Sequence, residues 1–351
     1  MPNQATRKIP ATLIPGDGIG PEIMHATVRV LTALDAPFEW EEVMGGMAAV
    51  ARQGDPLPKE TMDSIRRTRL ALKGPLTTPV GGGYRSVNVR LREEFELYAN
   101  LRPVRTIVPG GRYEDVDIVL VRENTEGFYV GFEHFIPIKG DPHAVAIGSG
   151  VNTREGCRRV AEFAFDYAVK NNRKNVTCVH KANILKALTG LFLEEVRECF
   201  KRYSDRITLD DRIIDACAMQ LVLDPTKFDV ILTTNLFGDI LSDLIAGLVG
   251  GLGLAPGGNI GTEAAIFEAV HGSAPDIAGK GVANPTALLL AAAMMLDYVG
   301  ESTKARVLRD AVDGVIRDDK IRTRDLGGKA STLEYTDALM RRIEAAAPAR
   351  A

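Results

Sequence analysis

ATLIPGDGIGPEIMHATVRVLTAL, residues 11–34, sets an apolar run, a glycine-rich turn and a helical stretch end to end. Residues 11–14 predict a β-strand. Residues 21–34 predict an α-helix with Pro21 in its first turn, where the missing N–H is tolerated. A strand that turns through glycines into a helix is the building unit of an α/β protein. The same order recurs along the chain. Residues 70–73 and 116–121 are short, mostly apolar strands. Residues 153–170 carry Val160, Phe163, Ala164 and Tyr167 at helical spacing. Residues 175–180 predict a strand followed by a helix from about Leu185. Residues 230–233 predict another, followed by a helix from about Gly238. The pattern is an α/β fold with a largely parallel sheet.

Composition narrows the class. The chain has 351 residues, 45% hydrophobic and 25% charged, as in a soluble globular enzyme of two domains or one split one. The formal net charge is −3, which offers no basic footprint for nucleic acid or for an anionic membrane surface. Cys157, Cys178, Cys199 and Cys217 form no CxxC pair and read as buried free thiols in a reducing compartment. The first ten residues lack the apolar core of an export signal. The apolar run 286–296 is about half a membrane span and reads as a core helix. The cytoplasm is therefore the expected compartment.

Glycine and proline cluster at 15–21, 75–83 and 247–261, which read as long loops. Residues 141–150 read as an exposed hairpin arm. Gly16-Asp17-Gly18-Ile19-Gly20-Pro21 lacks the spacing of a dinucleotide fingerprint, so it is either a tight turn or a ligand-facing loop. The stretch from Lys73 to Gly83 exposes backbone N–H groups and the hydroxyls of Thr77 and Thr78. Arg85, Ser86, Asn88, Arg90, Arg92 and Arg102 follow it, and the planar guanidinium fork suits carboxylates. Arg122 directly follows the apolar strand VDIVLV, at the end where α/β folds bind ligands. Asp239 and Asp243 are four apart and share a helix face, where like charges repel. A divalent cation would reconcile them, and hard oxygen ligands favour Mg²⁺ or Mn²⁺; acids facing a helix N-terminus would also do so. Tyr129 and Lys181 are candidate acid–base groups. Of the five histidines, His271 alone sits in a loop of ligand-binding character.

Seven segments together resemble one family, the metal-dependent β-decarboxylating 2-hydroxy-acid dehydrogenases. They are KGPLTTPVGGGYRSVNVRLR, LYANLRPVR, VRENTEGFYVGFEH, HKANILK, NLFGDILSD, GGLGLAPGGNIG and FEAVHGSAPDIAGKGVANP. The resemblance runs from about Thr12 to about Asp297 and is strongest to NAD-dependent isocitrate dehydrogenases. It implies the isopropylmalate dehydrogenase-like fold, with a non-Rossmann nucleotide site. Residues 1–103 and 250–351 would form a large domain. Residues 104–249 would form a small one, with a dimerisation arm around 134–150. The active sites would be shared across a homodimer, or a higher homo-oligomer. The GDGIG segment then becomes a turn at the cleft.

The site residues follow from that resemblance. Ser86 and Asn88 would bind the carboxylate that distinguishes isocitrate from 3-isopropylmalate. Arg92, Arg102 and Arg122 would bind the other negative charges. Asp239 and Asp243, with Asp215 of the second subunit, would hold Mg²⁺ or Mn²⁺. Lys181 would take the hydroxyl proton, hydride would pass to NAD⁺, CO₂ would leave, and Tyr129 would protonate the enolate. Asp276, with Ile277, would select NAD over NADP through the ribose hydroxyls. His271, Gly272 and Asn284 would lie near the adenosine and Thr77 near the nicotinamide. Homoisocitrate, one methylene longer, is the alternative substrate. The further alternatives are a 3-isopropylmalate dehydrogenase and a non-catalytic regulatory subunit. In some relatives the serine matching Ser86 is phosphorylated.

Overall fold

The computed structural model describes residues 8–78, 84 and 86–346. Arg85 and residues 79–83 of the glycine loop lie outside the described residues. The strands are β1 (Ile9–Ile14), β2 (Phe38–Glu42), β3 (Leu70–Lys73), β4 (Ala99–Arg105), β5 (Asp117–Glu123), β6 (Gly127–Ile138), β7 (Asp141–Val151), β8 (Asn175–His180), β9 (Thr208–Ile213), β10 (Val230–Thr233), β11 (Pro256–Ile260) and β12 (Ala265–Ala269). The helices are α1 (Gly20–Ala33), α2 (Met47–Gln53), α3 (Lys59–Thr68), α4 (Val87–Glu94), α5 (Arg154–Lys170), α6 (Leu188–Phe200), α7 (Ile214–Leu223), α8 (Asn235–Val249), α9 (Thr286–Tyr298), α10 (Ser302–Arg317) and α11 (Thr332–Ala346).

Ten strands make one sheet in the order β2-β1-β3-β12-β11-β4-β5-β10-β8-β9. Its flanks are parallel, as expected, but the ladders β12–β11, β11–β4 and β4–β5 are antiparallel. The sheet is therefore mixed. Two of these three ladders involve β11, PGGNI, which lies in the stretch expected to be loop. Of its glycines, Gly258 is the one that packing crowds. A Cβ on Gly258 would lie 3.1 Å from Phe267 Cε1 and 3.2 Å from Met294 Cε, so the bare position lets α9 press against the sheet. A five-residue strand with adjacent glycines, one on each face, carries no hydrophobic period to read.

Other boundaries shift for local reasons. The turn after β8 is closed by Leu185 N–H donating to Lys181 O at 2.8 Å, so α6 begins only at Leu188. Helix α8 begins at Asn235, three residues before Gly238, which lies inside it. The run 286–296 is buried throughout, as a core helix should be. The four cysteines are free and buried, and burial pushes the thiols of Cys157 and Cys217 up to about 12. The GDGIG segment is a turn. Buried Asp17 clips it to two other segments, accepting from Met47 N and Thr77 N at 2.8 Å each.

Strands β6 and β7 form a separate two-stranded hairpin, longer than the arm expected at 134–150. Its apolar side chains face solvent: Phe132 is 61% exposed and Phe135 55%. Two strands alone cannot bury such residues, so the hairpin needs something to pack against.

Candidate active site

Sheet register sets out the site. Asn259 of β11, Asn100 of β4 and Arg122 of β5 are directly opposed across adjacent strands, so they share one face. Arg122 is fully buried there. Its Nε and Nη2 donate to Asn235 Oδ1 at 3.0 and 2.6 Å, and its Nη1 donates to Asp239 Oδ1. Both partners stand on the first turns of α8. That approach depends on Gly238: a Cβ there would lie 2.6 Å from Arg122 Cγ and 2.7 Å from its Cβ. Tyr129 Oη donates to Asp239 Oδ2 at 2.5 Å, and the Arg122 guanidinium lies 5.1 Å from the centre of the Tyr129 ring.

Arg102 reaches the same helix. Its Nε donates to Asn100 Oδ1 at 2.6 Å and its Nη1 to Ser242 Oγ, with Asp239 and Asp243 at 3.6 and 3.8 Å. Arg92 projects from α4 and is also buried. Burial, then repulsion from Arg122, lowers the pKa of Arg92 and of Arg102 to about 10. Burial works against ionisation of Asp239. Arg122, the Tyr129 hydroxyl and Arg102 outweigh it and hold the carboxyl below its ordinary range. Asp243 is raised, chiefly by burial. Burial, then the bond to Asp239, raises the Tyr129 phenol. Three guanidiniums thus face two carboxylates in a poorly solvated place, which favours an anionic ligand.

Two unmet hydrogen-bonding atoms lie beside this cluster, of which Arg92 Nε, a donor, calls for an anion and Asn88 Oδ1, an acceptor, does not. Asn88 Oδ1 and Arg92 Nε, one helical turn apart on α4, are buried without a partner. Ser86 caps the start of that helix without a side-chain capping bond, and its Oγ lies 3.5 Å from Thr78 Oγ1. Arg90 turns away and pairs with Asp55 at 2.8 Å.

Lys181 and Asp215 form a second cluster. Lys181 Nζ donates to Asp215 Oδ1 at 2.9 Å, and that bond, first among its causes, lowers the Asp215 pKa. No group of three histidine, cysteine or acidic side chains placed to hold a metal occurs among the described residues. Asp215 is therefore not brought beside Asp239 and Asp243 within one chain. The latter two supply hard oxygen donors suited to Mg²⁺ or Mn²⁺, but too few for a complete shell.

The expected nucleotide residues fall on the loops beside β3 and β12. Thr77 Oγ1 and Ser273 Oγ are 2.8 Å apart. His271 Nδ1 faces Gly272 O at 3.0 Å and must carry the proton; its Nε2 is buried with no partner. Burial lowers the His271 pKa, so the ring is neutral near pH 7 and Nε2 is an acceptor. Gly272 and Asp276 are exposed and Ile277 half-buried. The Asn284 side chain is already engaged. It accepts from Thr286 N at 3.0 Å and donates to Asp325 at 2.8 Å, helping to start α9.

The family model for isocitrate/isopropylmalate dehydrogenase matches residues 10–339. The chain belongs to this family. Among isocitrate/isopropylmalate dehydrogenases it is 50% identical to a regulatory subunit of the mitochondrial NAD isocitrate dehydrogenase of Dictyostelium discoideum. That match covers 97% of this chain and 94% of that protein. It is 48% identical to the mitochondrial NAD isocitrate dehydrogenase catalytic subunit 5 of Arabidopsis thaliana, over 95% of this chain and 88% of that one. The crystal structure of isocitrate dehydrogenase from Methylococcus capsulatus superposes with a TM-score of 0.92 at 54% identity, over 95% of this chain and 99% of that one. The family resemblance and the fold expected from it are thereby established.

Several polar residues of this family member had no role in the sequence reading. Lys73 and Glu268 pair at 2.6 Å, both buried. Asn100, Asn124, Asn235 and Asn259 are buried around Arg102 and Arg122. For Lys73 and Glu268 a charged residue inside an otherwise apolar strand was the available signal.

Proposed function

We propose that the chain oxidatively decarboxylates isocitrate to 2-oxoglutarate and CO₂ with reduction of NAD⁺. The observation that carries this is the convergence of buried Arg92, Arg102 and Arg122, with the Nε–H of Arg92 unpartnered. A tricarboxylate supplies the missing negative charge, and its carboxylates accept from the guanidiniums, the free Nε–H of Arg92 included. Ser86 and Asn88 take the carboxylate that an isopropyl substituent lacks. A polar pair facing an isopropyl group would be left unsatisfied, at roughly 1–3 kcal/mol per group.

Asp239 and Asp243, joined by Asp215 of a second copy of the chain, fit a Mg²⁺ or Mn²⁺ site. The cation, when bound, acidifies the C2 hydroxyl and neutralises charge that builds during decarboxylation. Lys181 of the second copy removes the hydroxyl proton. Hydride leaves C2 for NAD⁺, CO₂ departs, and Tyr129 returns a proton to C3. Its raised pKa suits a proton donor, and its bond to Asp239 holds it beside the arginines.

The free Asp276 carboxylate favours the two ribose hydroxyls of NAD and repels the 2′-phosphate of NADP. The Nε2 acceptor of His271 suits the adenine amino group, with Gly272, Ile277, Asn284 and Thr77 completing the nucleotide site. The exposed hairpin supports a homodimer with shared sites, as do Met219 and Leu223 of α7 and Ile240 of α8, all more than half exposed. The division into 1–103 with 250–351 and 104–249 stays a proposal; its first boundary falls inside β4. No described helix is long and apolar enough to cross a membrane. The two curated relatives quoted are mitochondrial, so their names lend no support to the cytoplasm proposed from the sequence.

Tyr129→Phe tests the chemical sequence. It is expected to reduce NAD⁺ with isocitrate while 2-oxoglutarate lags behind NADH. Slowing of the late protonation by about 10²–10⁴-fold is the scale of a lost general acid. Equal, undiminished formation of both products would remove Tyr129 from that role.

A further inference from the structure

Beneath the arginines a line of buried side chains crosses four strands. Arg102 Nε donates to Asn100 Oδ1 at 2.6 Å. Asn100 Nδ2 donates to Asn259 Oδ1 at 2.8 Å. Asn259 Nδ2 donates to Glu268 Oε1 at 2.7 Å, and Lys73 Nζ pairs with Glu268 Oε2 at 2.6 Å. Every member is more than nine-tenths buried, so water offers these groups little alternative.

The line has a direction. Burial opposes ionisation of Glu268, but Lys73, Arg92 and the bond from Asn259 hold its pKa at about 2. An ionised carboxylate only accepts, so Asn259 must turn its NH₂ toward Glu268 and its oxygen toward Asn100. Asn124 Nδ2, 3.0 Å from the same oxygen, enforces the choice. Asn100 must then give its NH₂ to Asn259 and its own oxygen to Arg102. Nε lies in the guanidinium plane, so this bond, together with that from Nη1 to Ser242 Oγ, fixes which edge Arg102 presents to the site. The carboxylates of Asp239 and Asp243, at 3.6 and 3.8 Å, are too far to fix it.

We infer that Asn100 and Asn259 are positioning residues for substrate binding: an amide relay that carries the polarity of the Lys73–Glu268 pair to Arg102. The inference rests on the proposed role of Arg102 toward isocitrate, which Arg102→Leu tests separately. Asn100, if freed, can rotate and present its NH₂ to Arg102 Nε–H, which repels it.

The test compares Asn100→Ala, Asn259→Ala and Asn259→Asp by KM for isocitrate, KM for NAD⁺ and melting temperature. Asn259→Ala removes the acceptor that orients Asn100 without touching Arg102. Asn259→Asp keeps that acceptor but sets a carboxyl beside Glu268, so it loses stability. The two alanine variants are expected to raise KM for isocitrate about 10–100-fold, the scale of one hydrogen bond to a charged group. KM for NAD⁺ should stay within about twofold and Asn259→Asp within about threefold of wild type for isocitrate. A purely structural role would order the variants by melting temperature instead. Unchanged isocitrate KM in Asn259→Ala, or equal impairment in Asn259→Asp, overturns the relay. If Asn259→Ala yields no folded protein, Asn259→Asp decides: a KM raised tenfold or more counts against the relay. An unaltered KM in Arg102→Leu overturns the relay and the role of Arg102 together. Wild-type protein that does not turn over isocitrate overturns the proposed function itself.

Discussion

Arg122→Leu is expected to lower kcat/KM for isocitrate by about 10²–10⁴-fold, since two charged hydrogen bonds to a carboxylate contribute roughly 1.5–3 kcal/mol each. The upper end applies, because Arg122 also holds the site together. Its removal frees Asn235 Oδ1, unbinds Asp239 and takes the cation from beneath the Tyr129 ring. Gly238→Ala reaches the same guanidinium without deleting it. The added methyl needs the space of Arg122 Cβ and Cγ, which are close to the backbone and cannot swing aside. Displacing the arginine by about 1 Å is expected to cost on the order of 10²-fold in kcat/KM. The Arg122→Lys variant keeps the charge but not the fork, and should remain impaired. Steady-state kinetics, with melting curves to confirm folding, read all three. Near wild-type kcat/KM in folded Arg122→Leu would take this arginine out of the site.

Lys181→Met is expected to lose about 10²–10⁴-fold in kcat, with little change in KM for isocitrate. The more telling result comes from mixing. Within one chain Lys181 lies with Asp215, away from the contacts that join Arg122, Tyr129 and Asp239. If a site draws Lys181 from one protomer and Arg122 from the other, a mixed dimer of Lys181→Met and Arg122→Leu contains one intact site. Co-expressing the two inactive variants should then recover about a quarter of wild-type activity, as half the dimers are mixed and each has one of its two sites whole. Recovery absent from dimers shown to be mixed would mean that each chain builds its own site, and the homodimer would lose its catalytic reason.

Strands β1, β3, β5, β8 and β10 were legible because they are short, mostly apolar runs, each followed by a turn or a helix start. The edge strands β2 and β9 and the central β4, β11 and β12 were not. Strand β11 has glycines where a reader looks for alternating side chains, and β4 buries an asparagine and an arginine in its first four residues. Both patterns make sense only beside their neighbours, since α9 needs the space at Gly258 and Arg122 lies opposite Asn100. The candidate site divides in the same way. Arg122 stood out at the end of an apolar strand, and Asp239 and Asp243 stood out as like charges on one helix face. Asn100 and Asn259 did not, because each is explained by a partner 159 residues away. Gly238 looked like a plausible helix start, and only the arginine beside it shows why no other residue fits inside that helix.

The selectivity of the site is read in a single kinetic matrix: purified protein with Mg²⁺, offered isocitrate, homoisocitrate and 3-isopropylmalate, each with NAD⁺ and with NADP⁺. The polar atoms of Ser86 and Asn88, the buried arginines and the free Asp276 together require the highest kcat/KM for isocitrate with NAD⁺. Each competing substrate or cofactor should fall at least about tenfold lower, the least that one lost polar contact or one misfit methylene provides. Equal or faster turnover of homoisocitrate would keep the chemistry and move the substrate. Preference for NADP⁺ would show that Asp276 does not select the cofactor. No reduction of either cofactor with any of the three acids would contradict the account.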